Sequence, residues 1–131
     1  MNQAYIADAV RTPRGKGNDK GSLKSIKPAA LLGQALSALA QRNRLDTRLV
    51  SDAIFGCVTQ TGDQGTSVGT LALPLANWSD SVSAVTINRY CSSSLMSIRM
   101  AAHAIKSGDG DVFIAAGVET VSRFLNGMAD S

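Results

Sequence analysis

The chain has 131 residues, 44% of them hydrophobic and 18% charged, with a formal net charge of +3; this is the balance of one globular domain able to bury a core. Its basic residues form no dense block interleaved with aromatics, which argues against nucleic acid as a partner, and no apolar run reaches the length of a bilayer crossing. Two cysteines, Cys57 and Cys91, are too few for a disulfide framework. The N-terminus lacks the basic, apolar and small-residue succession of a secretory leader, so a cytoplasmic location is expected.

Strand-like and helix-like segments alternate along the chain. Tyr5 to Val10 reads as a short strand ending at Arg11-Thr12-Pro13, and Pro13 to Ser25 as a Pro/Gly/Lys-rich loop. Pro28 suits the first turn of a helix, where its missing N–H is not needed. Leu32, Ala35, Leu36, Leu39 and Ala40 then recur at helical spacing, and Asn43 to Asp46 closes the segment. Ala53 to Gln60 is a second strand, Thr61 to Ser67 a loop, and Val68 to Trp78 a helix despite Gly69 and Pro74. Val82 to Asn88 carries the β-branched residues of a third strand. Leu95, Ile98, Ala102 and Ile105 share one face of a helix from Ser92 to Ser107, with Gly108 placed to cap it. Asp111 to Val118 is a fourth strand, whose unbroken apolar run suits a strand covered on both faces. Four strands joined by helical crossovers predict an α/β fold with a mostly parallel sheet. Ser122 to Ser131 shows no sustained period.

Cys91 carries the most chemistry. It falls between the third strand and a helix whose first turn holds Ser92, Ser93 and Ser94. Unpaired N–H groups and the macrodipole favour negative charge at a helix start. A thiol in such a place gives up its proton more readily, and the thiolate is the nucleophilic form. Backbone N–H groups of the same turn can stabilise an oxyanion on an attacked carbonyl. The constellation suits acyl transfer through a thioester, although a free cysteine is also a common small core residue. Cys57, inside a predicted strand, reads as a packing residue.

His103, the only histidine, lies twelve residues beyond Cys91, or ~18 Å along a helix, too far to act as its base. It reads as a surface or packing residue. Two distant cysteines and one histidine offer no metal site, and Gly62-Asp63-Gln64-Gly65 reads as a turn rather than a phosphate-binding loop.

The segment Asn88-Arg89-Tyr90-Cys91-Ser92-Ser93-Ser94-Leu95 resembles the acyl-enzyme signature of thiolases. Val10 to Gly15, Gly56 to Gly65 and Ala116 to Arg123 resemble further thiolase stretches in the same order and spacing, so the resemblance spans essentially the whole chain. It implies a five-layered αβαβα enzyme of two similar βαβαβαββ halves. Residues 1–131 would form the first four strands of the first half, without its fifth strand, its coenzyme A-binding loop domain or the second half. Cys91 matches the nucleophile that takes the acyl group from an acyl-CoA or 3-ketoacyl-CoA, and its N–H matches part of an oxyanion site. A histidine, a second cysteine and an asparagine of the second half complete the family's site. Ser94 stands where many thiolases have glycine, a substitution expected to crowd the backbone.

The resemblance further implies acyl-CoA and acetyl-CoA as substrates, coenzyme A as their carrier, no tightly bound cofactor and no metal. It places the chain in lipid metabolism, with fatty acid β-oxidation as one setting, and predicts a homodimer or tetramer formed through the edge strand Val82–Asn88. Cys91-Ser92-Ser93-Ser94-Leu95 also resembles the active-site run of β-ketoacyl synthases, which share the fold but condense with decarboxylation. Asn88-Arg89-Tyr90 and Arg11-Thr12-Pro13 favour thiolase. A rival of another class is a non-catalytic partner subunit, with a second chain supplying the missing half.

Overall fold

The computed structural model describes residues 2–124. Three strands form one parallel sheet: β1 (Asp52–Gly56), β2 (Ala84–Ile87) and β3 (Phe113–Gly117), in the order β2-β1-β3. Ala53 pairs with Ala84 on one side and Ile114 on the other, and Gly56 with Ile87 and Gly117. The three carboxyl ends therefore finish level with one another.

Helix α1 (Pro28–Asn43) starts at its proline, as the fixed φ of that residue favours, and ends at Arg44, which adopts the left-handed conformation. Helix α2 (Val68–Leu75) stops short of the expected Trp78. Pro74 sits in its last turn, and the N–H of Trp78 turns back to Leu73 O. Helix α3 (Ser93–Ser107) is capped by Gly108 at φ 87°, a conformation that glycine adopts without steric cost. A short helix, α4 (Val121–Phe124), follows β3.

Residues alternate between the two faces of a strand. Ala53, Phe55 and Ile114 join Leu32 and Leu36 of α1 and Ala72 and Leu73 of α2 in the main core. Phe55 is wholly buried, and Gly69 of α2 lies so close that a Cβ there would fall 2.0 Å from its ring. The other face of β1 and β3 is covered by α3. The predicted α/β class and parallel sheet hold.

The strand count is a correction: among the described residues three strands form, not four. Tyr5 and Ile6, in the expected first strand, are 77% and 78% exposed, and no strand among the described residues pairs with them. A strand requires a neighbour to satisfy its backbone groups; this segment is tethered by side chains instead. Asp8 accepts from Arg42 Nη2 at 2.7 Å and Asn43 Nδ2 at 2.6 Å at the end of α1. Asn2 Nδ2 donates to Ile105 O at the end of α3.

β3, expected to be covered on both faces, packs on the main core with one face and on α3 with the other, but at the edge of the sheet it is less buried than β1. β1 occupies the centre and is buried from Ala53 to Gly56, whereas only Ile114 of β3 is buried. β2 forms one edge, as expected of Val82–Asn88, and β3 the other. The segment after Phe124 lies outside the described residues.

Candidate active site at the carboxyl end of the sheet

The loops that leave β1, β2 and β3 meet at the carboxyl end of the sheet, where open parallel α/β sheets place their ligands. Cys91 lies there, exposed, immediately before Ser92, the N-cap residue of α3. The expected strand–helix junction is therefore present, and the sulfur is accessible.

Two glycines let α3 start so close to the strands. A Cβ on Gly56, the last residue of β1, would meet Ser93 C and Ser94 N at 2.5 Å. A Cβ on Gly117, the last residue of β3, would lie 2.0 Å from Ser94 Oγ. The crowding anticipated at Ser94 is thus relieved by the bare backbone of Gly117. Buried Ser97 fastens the next turn by donating to Ser94 O at 2.7 Å and to Ala116 O at 3.1 Å.

The chain from β2 to α3 reverses at Tyr90, which has φ 49° and is 78% exposed. That conformation costs a side-chain-bearing residue roughly 1–2 kcal/mol and persists only where surrounding bonds enforce it. Asn88 Oδ1 accepts from Tyr90 N at 2.8 Å. Ser93 Oγ accepts from Arg89 N at 2.8 Å and donates to Tyr90 O at 2.6 Å. The N–H groups of Ser92 and Ser93 donate to Arg89 O and Tyr90 O. None of these reverse-turn bonds uses Cys91 N–H.

A second cluster links the loops after β1 and β3. Glu119 Oε2 accepts from Val58 N at 2.8 Å and Thr59 N at 3.4 Å, and Oε1 accepts from Gln64 Nε2 at 2.9 Å. Gln64 is fully buried, and its Oε1 accepts from both Thr120 N and Thr120 Oγ1. Arg123 holds Asp63 and donates to Lys24 O. The turn read at Gly62–Gly65 is therefore a structural clamp, with Gln64 as its centre.

Cys57 opens the same loop but is buried. Burial, followed by the neighbouring Glu119 carboxylate, pushes its thiol up to about 12. Two cysteines of one chain are thus separated in role: one shielded and held neutral, one presented to solvent. His103 is exposed near the C-terminal end of α3, beside Asp52 and Phe113 at the start of the sheet strands, as its spacing required. Among the described residues no cluster could hold a metal ion, and no helix is long and apolar enough to cross a membrane.

Asn88, Glu119 and Gln64 received no role from sequence. An asparagine two residues before the turn was a usable signal, because Asn readily bonds the backbone two residues on. The partners of Glu119 lie 55 to 62 residues away, and nothing local points to them.

A parallel α/β sheet thus presents an exposed cysteine at a strand–helix junction, at its carboxyl end. Residues 4–130 match the family model of the thiolase N-terminal domain, and the chain belongs to the thiolase family. It is 44% identical over 134 residues to the 3-oxoadipyl-CoA/3-oxo-5,6-dehydrosuberyl-CoA thiolase of Escherichia coli K12, covering 100% of this chain and 33% of that protein. Identity to the 3-ketoacyl-CoA thiolase of Shewanella denitrificans is 42% over 120 residues, covering 91% of this chain and 31% of that protein. The crystal structure of the Bacillus anthracis acetyl-CoA acetyltransferase superposes with a TM-score of 0.81 at 34% identity, covering 93% of this chain and 30% of that one. The chain spans about a third of the length of the curated relatives it matches.

Proposed function

We propose that this chain carries the nucleophile of an acyl-CoA C-acyltransferase that forms or cleaves 3-ketoacyl-CoA, with Cys91 as the acylated residue. The observation that supports this reading is the exposed Cys91 directly before the N-cap of α3, where the dipole of a helix start favours negative charge.

In the cleavage direction the Cys91 thiolate attacks the 3-keto carbon, and the resulting oxyanion is bound in part by Cys91 N–H. The C2–C3 bond then breaks. Its electron pair stays with acetyl-CoA and takes up a proton from an acid outside this chain, while the acyl group remains on sulfur. The thiol of a second coenzyme A displaces it. Residues 1–131 form the front part of the first half of such an enzyme, and the remaining acid–base groups come from elsewhere in the protein or from a partner chain.

Incubation with acetyl-CoA tests the reading. With the part of the enzyme that supplies those acid–base groups present, stoichiometric release of free coenzyme A thiol is expected, and its loss in Cys91→Ala. Release that persists in Cys91→Ala contradicts it.

A further inference from the structure

We propose that Asn88 is a positioning residue for Cys91 and that Glu119 acts through it, so that one hydrogen-bonded relay across all three strands sets the nucleophile's turn. This inference rests on the reading of Cys91 as the acylated residue.

The relay is continuous. Gln64 Nε2 donates to Glu119 Oε1 at 2.9 Å, and Val58 N donates to Glu119 Oε2 at 2.8 Å. On the other side of the same residue, Val58 O accepts from Asn88 Nδ2 at 3.0 Å. Asn88 Oδ1 then accepts from Tyr90 N at 2.8 Å, one residue before Cys91. Glu119 follows β3, Val58 follows β1 and Asn88 follows β2, so the turn is referenced to the carboxyl end of every strand. Asn88 uses its donor on one neighbour and its acceptor on the other, which an aspartate or an aliphatic residue cannot reproduce.

Positioning, rather than stability, is the purpose the geometry favours. Asn88 and Tyr90 are both exposed, and little apolar surface is buried at the turn. What the bonds secure is the left-handed conformation of Tyr90, which reverses the chain within one residue and brings Cys91 to the start of α3. A helix start favours negative charge on a group held against it. A sulfur released from that spot is expected to react more slowly with an electrophile.

The test is the second-order rate of alkylation by iodoacetamide, read separately at Cys91 and Cys57 by peptide mass mapping. Asn88→Ala is expected to slow Cys91 about fivefold, the ratio one net hydrogen bond supports. Asn88→Ser, whose hydroxyl can still accept from Tyr90 N–H, is expected to recover at least half of the native rate. Cys57 stays unlabelled in each folded variant. An Asn88→Ala rate equal to the native one, or no recovery in Asn88→Ser, overturns the inference. Should Asn88→Ala not fold, amide hydrogen exchange of the native chain decides: Tyr90 N–H is expected to be protected, and free exchange overturns the relay. Alkylation needs no acyl-CoA, so failure here is distinguishable from failure of Cys91 to accept an acyl group.

Discussion

At the scale of single residues, the two cysteines show how placement decides chemistry. The Cys57 thiol is raised from its ordinary 9.0 to about 12, first by burial and then by the Glu119 carboxylate beside it. A raised thiol is neutral in the folded state at neutral pH, and its contribution to stability is fully present below the unfolded value. Between pH 9 and pH 12 the unfolded chain releases a proton that the folded chain retains, so stability falls across that window. Denaturation midpoints measured over this range should drop more steeply in the native chain than in Cys57→Ala. Equal slopes would show that Cys57 ionises as freely folded as unfolded. Sequence separated the two cysteines by their expected settings, Cys57 inside a strand and Cys91 at a junction; β1 instead ends at Gly56, and Cys57 is buried in the loop that follows it. The relay through Asn88, Val58 and Glu119 was not legible, because each of its bonds joins loops that become neighbours only once the sheet has formed.

At the scale of elements, the close seating of α3 on β1 and β3 places the site. It depends on two positions without a Cβ, Gly56 and Gly117. Gly56→Ala sets a methyl 2.5 Å from the backbone of Ser93 and Ser94, where no side chain can yield and the helix itself must move. Overpacking of this kind costs about 1–3 kcal/mol, so chemical denaturation should show a loss of that size. A loss near zero would mean that α3 is not held where the structure places it. Elements with strong local signals were legible: Pro28 starts α1, Gly108 ends α3, and the β-branched run Val85-Thr86-Ile87 lies in β2. Tyr5–Val10 has the composition of a strand but not its structure, since strand formation is decided by a neighbour's backbone rather than by composition. The unbroken apolar run of Val112–Ala116 fits a strand packed on both faces but does not report its position in the sheet. It reports the covering a strand can accept, and here β3 is an edge with one buried residue.

At the scale of the molecule, a three-stranded sheet leaves two edges whose backbone groups have no partner among the described residues. β2 also exposes Val85, and Leu71 and Leu75 of α2 and Leu95 and Ile98 of α3 are exposed. Unprotected edges and apolar faces pair with other copies, so sedimentation of this chain alone should reveal concentration-dependent association. A single monomeric species across concentrations, with cooperative thermal unfolding, would contradict this.

The central claim is that Cys91 is the sulfur this fold presents to an acyl group. The most direct measurement is peptide mass mapping after incubation with acetoacetyl-CoA and rapid acid quench. An acetyl group on the peptide containing Cys91, with Cys57 unmodified, is the result expected. Acetyl found on Cys57, or on neither cysteine while acetoacetyl-CoA is consumed, would contradict the account.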